Sequence, residues 1–196
     1  RDKSFLEVSG RKGLGVKADD LLDRMEQKAM KEVEGRNPDL PLDKKREIAF
    51  NIAVGALRYF MLKFTRNSLI IFDFDEALSF EGETGPYLQY TYVRINSIFR
   101  NLSEKENFGE EQLAELTRGV NETALEKLSP TERDDFWDVV LYAAQHEEEI
   151  LHSIHSLEFS HLAKFSFNLC QKLNGYYHKY SILAEKDRDI KNIRIL

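Results

Sequence analysis

The 196-residue sequence has few of the residues that interrupt helices or cross-link chains: one cysteine, four prolines and ten glycines. A single cysteine cannot form an internal disulfide, so we expect Cys170 to be a small core residue in a protein from a reducing, intracellular compartment. Together with the many Leu, Glu and Lys residues, the scarcity of proline and glycine indicates a helical protein.

Long apolar runs are also missing. No run approaches the roughly 18–20 residues that a membrane span requires, and the charged start of the sequence is unlike a signal peptide. Hydrophobic residues make up 42% of the sequence and charged residues 32%. This composition is typical of a soluble globular protein, and we expect a cytoplasmic location without a membrane partner.

The sequence lacks an excess of positive charge. Its formal net charge is −6, which argues mildly against a nucleic-acid partner. The acidity is concentrated, however, in residues 101–150, which hold 14 acidic against 4 basic residues, whereas residues 151–196 carry a net charge of +3. A nucleic acid could therefore approach the rest of the molecule.

Apolar residues recur at helical spacing through most of the sequence. This periodicity predicts an all-α fold, a bundle of about five or six helices. A capping box at residues 129–132 marks the start of one helix that we expect to continue past Ile150, with Ser129 at the N-cap, Pro130 next and Glu132 at the third position.

The segment of residues 72–100 organises the sequence. Gly82, Gly85 and Pro86 lead into a helix, and at about 100° per residue a predicted core stripe lies within about 80°: Leu88, Tyr92, Ile95, Phe99 and Leu102. Away from that stripe lie Tyr87, Tyr90 and Arg94. These three either pack in a second layer or form a stacking platform for unpaired bases.

Three stretches, in this order, resemble arginyl-tRNA synthetases. They are Gly-Ala-Leu-Arg-Tyr-Phe from Gly55, then the segment from Phe72 to Tyr90 with Thr-Gly-Pro-Tyr-Leu-Gln-Tyr at its end, and finally residues 161–178, which include Asn-Gly-Tyr-Tyr-His from Asn174. The resemblance implies an end of the catalytic domain in residues 1–17, connecting helices in 18–84 and a helical anticodon-binding domain in 85–196. In this family the sequence continues at both ends, so we expect truncation at the start and at the carboxyl end.

The resemblance implies that the parent enzyme joins L-arginine to tRNA(Arg) with ATP, bound as Mg-ATP, and acts as a monomer. The present sequence shows no strand–glycine–helix nucleotide fold and no His-Ile-Gly-His-type motif, so we expect it to be inactive by itself. We expect this part to bind the anticodon end of the tRNA and to hold no cofactor.

The resemblance also assigns site residues. The glycine-flanked stretch of residues 9–13 occupies the position of the family's Lys-Met-Ser-Lys-Ser loop and implies ATP binding by Ser9, Arg11 and Lys12, although Val8 replaces the usual methionine. For the anticodon we expect contacts from the two faces that the family brings together: Tyr87, Tyr90, Arg94, His161 and Phe165.

Other clusters have simpler interpretations. His146, His152 and His155 lie in one predicted helix without a complementary ligand set, so we predict a solvated face and no metal site. The acidic residues from Asp73 to Glu83 lack a nucleophile or a partner histidine and are interpreted as turn and capping residues. The alternative function is a stand-alone helical protein–protein interaction module that docks through Tyr87 and Tyr90.

Overall fold

The computed structural model describes residues 15, 17–119 and 122–196. These residues form ten helices and no strand, which confirms the all-α prediction. The helices are α1 (Ala18–Arg36), α2 (Leu42–Leu62), α3 (Phe74–Ala77), α4 (Gly85–Glu106), α5 (Glu110–Arg118), α6 (Glu122–Leu125), α7 (Pro130–Ala144), α8 (His146–Ser156), α9 (Ser160–Lys179) and α10 (Arg188–Ile195).

The number of helices exceeds the five or six expected, in part because one expected helix is divided at Gln145. The N–H of Gln145 bonds to the carbonyls of Tyr142 and Ala143, closer than the regular spacing of four residues. Two four-residue helices, α3 and α6, add to the number. None of the helices formed by the described residues has the length and apolar character needed to cross a bilayer.

The chain divides into two compact units. The first runs up to Gln89 and includes Glu158–Ala163, and the second comprises Tyr90–Leu157 and Lys164–Leu196. Helices α4 and α9 therefore each begin in the first unit and end in the second.

In the first unit, α1 packs on a face of α2 that carries three alanines. Ala49, Ala53 and Ala56 recur on α2 at steps of four and three residues and are fully buried. They pack with Met25 and Ala29 of α1 in adjoining clusters. Alanine leaves room for the α1 side chains at helix-packing distance, so this spacing determines where the two helices meet.

The connection from α2 to α4 is held by aromatic and charged contacts. The ring of Phe72 lies edge-on to Phe60, with centroids 4.7 Å apart. The carboxylate of Asp73 accepts hydrogen bonds from the N–H groups of Asp75 and Glu76 and caps α3, in agreement with the capping interpretation. Lys63 binds Glu76 at 2.8 Å.

In the second unit, α10 completes the core. Ile195 packs with Ile98 and Leu102 of α4, and Ile193 packs with Ala124 and Leu128. Helix α10 thereby provides apolar side chains to two clusters of this unit.

The start of α7 differs in one respect from the predicted capping box. Ser129 accepts a hydrogen bond from the N–H of Glu132 at 3.2 Å, as expected for the N-cap. The Glu132 carboxylate instead accepts a bond from Nε of Arg194 at 2.6 Å. Both side chains are more than nine-tenths buried. The Glu132 carboxylate, which the capping-box pattern assigned to the start of α7, therefore binds the buried Arg194 of α10 instead.

Candidate functional site

The predicted ATP-binding residues Ser9, Arg11 and Lys12 lie outside the described residues. The candidate site that the structure describes lies in the second unit, where Arg94 of α4 contacts Asn174 and Tyr177 of α9.

Helix α4 faces the core differently from the sequence prediction. Tyr92, predicted in the core stripe, is 68% exposed, whereas Thr91 and Ile98 are buried together with Leu102, which the prediction had placed in the stripe. At about 100° per residue, these three buried positions are centred about 60° from the middle of the predicted stripe. The prediction of a buried Tyr92 is therefore wrong, because it counted an aromatic ring as apolar and a threonine as polar.

The tyrosines of the predicted platform differ in accessibility. Tyr90 is 50% exposed, and Tyr87 is partly buried. The backbone N–H of Tyr87 donates to Oγ1 of Thr84, which caps the start of α4 and fixes the backbone there. Tyr90 thus presents half of its surface for contact with a ligand.

Arg94 is held between two residues of α9. Its NH1 donates to Oδ1 of Asn174 at 3.0 Å, and its guanidinium lies 4.7 Å from the centre of the Tyr177 ring. A guanidinium over an aromatic ring gains cation–π attraction and keeps its N–H edge available. The structure therefore brings Arg94 to α9, where a planar charged group and an aromatic ring lie together.

The two residues predicted at the start of α9 have different surroundings. Nε2 of His161 lies 3.8 Å from a Glu158 oxygen, and the imidazole is 40% exposed. The ring of Phe165 is buried and stacks on Tyr142, with centroids 4.9 Å apart and an interplanar angle of 16°. The ammonium of Lys172 lies 5.2 Å from the centre of the same Tyr142 ring.

A largely apolar cavity of about 330 Å³ adjoins Arg94, Asn174 and Tyr177 in the second unit. At its wall lies the buried hydroxyl oxygen of Tyr176. Burial is the largest cause that raises the pKa of Tyr176, and the charge of nearby Glu132 adds to it. Tyr176 is therefore a neutral phenol over the physiological pH range.

Cys170, which was expected to be a core residue, is only partly buried. Burial raises its pKa, and a hydrogen bond with the Thr91 side chain opposes the rise. Among the described residues, no group of three or more His, Cys, Asp or Glu side chains has an arrangement that could hold a metal ion.

Sequence reasoning did not single out Asn174, Tyr177 and Thr91. Asn174 and Tyr177 are three residues apart and so share one face of α9, and they stand in the third stretch of the family resemblance. This spacing could have identified Asn174 and Tyr177 as a pair of site residues from the sequence. The hydrogen bond between Asn174 and Thr91 joins residues 83 positions apart, so the local sequence pattern could not predict it.

Comparison with known proteins identifies the segment that contains this site. Residues 88–196 match the family model described as DALR anticodon binding domain. The chain belongs to this family. A second model, the catalytic domain of class I tRNA synthetases (R), matches residues 2–74 on the amino-terminal side of the DALR segment.

The relatives of this DALR chain confirm the resemblance to arginyl-tRNA synthetases. An arginine–tRNA ligase of Lactococcus lactis subsp. cremoris is 35% identical over 91% of the chain. An arginine–tRNA ligase of Thermus thermophilus is 38% identical over 88% of it. The chain covers 28% and 26% of the lengths of these two relatives.

Solved structures agree with the family assignment. The chain matches a Thermus thermophilus arginyl-tRNA synthetase with a TM-score of 0.74 and 28% identity, over 96% of this chain and 29% of that one. A Plasmodium falciparum arginyl-tRNA synthetase matches with a TM-score of 0.66 over 92% of this chain and 29% of that one. At 21% identity, the second match shows a shared fold.

Proposed function

We propose that this chain is the anticodon-end tRNA-binding part of an arginine–tRNA ligase. The observation that carries the proposal is the guanidinium of Arg94 on the ring of Tyr177, within a segment that matches the DALR anticodon binding domain. Unpaired bases stack on aromatic rings and on guanidinium planes, and single-stranded RNA is read in this way.

The proposed contact residues follow from accessibility and chemistry. Tyr90 and Tyr87 offer ring faces, Arg94 offers charge and a planar set of donors, and His161 offers an imidazole beside Glu158. Phe165 is 6% exposed. Its proposed part is therefore to support the surface from behind, through its stacking on Tyr142.

The domain organisation is part of the proposal. Residues 85–196 form the anticodon-binding domain, residues 18–84 the connecting helices, and residues 1–17 the end of a catalytic domain. The family models support the boundary near residue 85, since the catalytic-domain model ends at residue 74 and the DALR model begins at residue 88.

The activity of the whole enzyme is likewise proposed. The parent joins L-arginine to tRNA(Arg) with Mg-ATP, as a cytoplasmic monomer, and the relatives named arginine–tRNA ligase support this reaction. Because the chain covers under a third of those relatives, we assign it no aminoacylation by itself.

Residues Ser9, Arg11 and Lys12 are proposed to contact the triphosphate, where an ammonium group and backbone N–H groups stabilise negative charge. The substitution Lys12→Ala in the full enzyme should slow arginine activation and leave tRNA binding intact. Pyrophosphate exchange and filter binding measure the two quantities. A wild-type exchange rate would remove Lys12 from the proposal.

A titration of labelled tRNA(Arg) with the 196-residue chain tests the tRNA-binding proposal. We expect binding that weakens as salt rises from about 50 to about 200 mM, since phosphate contacts release counterions. A transcript with an altered anticodon should bind more weakly than tRNA(Arg). Equal binding of the two transcripts, or no binding at low salt, would instead favour a protein-binding module.

A further inference from the structure

The amide of Asn174 joins two side chains of α4. Its Oδ1 accepts a hydrogen bond from Arg94 NH1 at 3.0 Å, and its Nδ2 donates to Thr91 Oγ1 at 2.7 Å. A guanidinium can only donate, so the amide atom that faces Arg94 must be the oxygen. The nitrogen therefore faces Thr91, and the orientation of the amide is fixed by its partners.

Thr91 in turn is fixed by burial. It is 2% exposed, and its hydroxyl oxygen accepts the hydrogen bond from Nδ2 of Asn174. A hydrogen-bonded chain thus runs from Thr91 through Asn174 to Arg94, and its inner end, Thr91, is buried.

The outer end of that chain restrains a flexible side chain. An arginine has many rotamers, and a free guanidinium must be ordered when a ligand binds. Asn174 engages one amino group, and the ring of Tyr177 lies against the guanidinium. Among the described residues, Nε and the second amino group of Arg94 are left for a ligand.

We propose that Asn174 is a positioning residue that pre-orients the guanidinium of Arg94 for contact with RNA. This inference rests on the proposed tRNA-binding function. Asn174 affects RNA binding by orienting Arg94, and Thr91 affects it by orienting Asn174. The competing explanation is that Asn174 only joins α4 to α9 within the second unit.

A double-mutant cycle separates the two explanations, because a positioning residue loses its effect when the residue that it positions is removed. The variants are Asn174→Leu, Arg94→Ala and their combination. Leucine is branched at the same atom as asparagine but cannot form the hydrogen bonds to Arg94 and Thr91. The measured quantities are the Kd for tRNA(Arg) at low salt and the midpoint of thermal unfolding.

We expect Asn174→Leu to weaken tRNA(Arg) binding about five- to tenfold, the range for loss of one hydrogen bond to a charged group with partial compensation. Arg94→Ala should weaken it more, and the double variant should match Arg94→Ala alone. The inference is overturned if the double variant is weaker by the product of the single effects, as a purely structural role requires. Unchanged binding by Asn174→Leu would also overturn it.

The substitution Thr91→Val provides a second cycle in case Asn174→Leu does not fold. Valine keeps the shape of threonine and removes only the hydroxyl that holds Asn174. We expect binding to weaken about two- to fivefold, with no further loss in the Arg94→Ala background. A loss of the same size in that background would contradict the positioning role.

Failure of this inference and failure of the proposed function give different results. If Arg94→Ala binds tRNA(Arg) as the wild-type chain does, Arg94 is not part of the interface and the proposed site is wrong. If Arg94→Ala weakens binding and neither Asn174→Leu nor Thr91→Val does, the site stands and the positioning role of Asn174 is rejected.

Discussion

Gly85, the first residue of α4, lies directly against the backbone of Gly55 in α2. A Cβ built on Gly85 would stand 2.5 Å from the carbonyl oxygen of Gly55 and 2.9 Å from the Cα of Ala56. Close by, Nε2 of Gln89 donates to the carbonyl of Asn51 at 2.9 Å. Two of the stretches that carry the family resemblance therefore meet within the first unit, backbone against backbone.

The substitution Gly85→Ala should destabilise the chain by about 1–3 kcal/mol, because backbone atoms cannot move aside for the added methyl group. Urea denaturation measures this change. The matched control is Gly175→Ala in α9, where a Cβ meets no atom within 4 Å. Alanine there should stabilise the chain by about 0.5–1 kcal/mol through its better helix propensity. Equal effects of the two substitutions would show that the glycine contact is not tight.

The substitution Tyr90→Ala should weaken tRNA(Arg) binding by about 1–3 kcal/mol, the usual contribution of one base–aromatic stack. It should cost little stability, since half of the side chain is already exposed. Tyr92→Ala is the control, because Tyr92 is exposed on the same helix about 160° away at 100° per residue. A binding loss for Tyr92→Ala that equals the loss for Tyr90→Ala would place the RNA on another face of α4.

The substitution Arg194→Leu should destabilise the chain by about 3–5 kcal/mol, because it leaves the buried carboxylate of Glu132 without its partner. Glu185, which lies 2.9 Å from the same guanidinium, loses its partner as well. The double variant Arg194→Leu/Glu132→Leu should recover much of the loss, since no uncompensated buried charge remains at that position. Urea denaturation of the three proteins decides this, and a double variant less stable than Arg194→Leu would contradict it.

Acid should destabilise the second unit through three carboxylates. Lys179 and Tyr180 lower the pKa of Asp135 through hydrogen bonds. The backbone N–H groups of Asp187 and Lys186 lower the pKa of Glu185, and the N–H of Ile190 lowers that of Asp187.

Since the folded pKa lies below the unfolded value in each case, the stabilisation is present above about pH 4 and is lost as the pH falls further. The urea midpoint should therefore drop as the pH falls below about 4, because the unfolded chain binds protons at the ordinary carboxyl pKa before the folded chain does. The Asp187→Asn variant keeps a side chain that can cap the helix but does not titrate. Its urea midpoint should therefore drop less steeply with falling pH. A midpoint that rises on acidification would refute this expectation.

Helix starts were predictable because they depend on neighbours in the sequence. Ser129 and Asp73 cap their helices as the local pattern indicated, since a side-chain oxygen reaches N–H groups two or three residues on. The family resemblance was also contained in the sequence, in short stretches whose order could be read directly. The proposed roles of Tyr87, Tyr90, Arg94, His161 and Phe165 stay predictions.

The sequence by itself thus determined the helical class and the family, whereas the tertiary structure alone decided which face of α4 is buried. Thr91 rather than Tyr92 turns inward because the hydroxyl of Thr91 has Asn174 as a partner, 83 residues away. In the same way, the carboxylate of Glu132 binds Arg194, 62 residues away, rather than its own helix. A buried polar group is stable only with a hydrogen-bond partner, and such partners come from distant segments that local periodicity does not register.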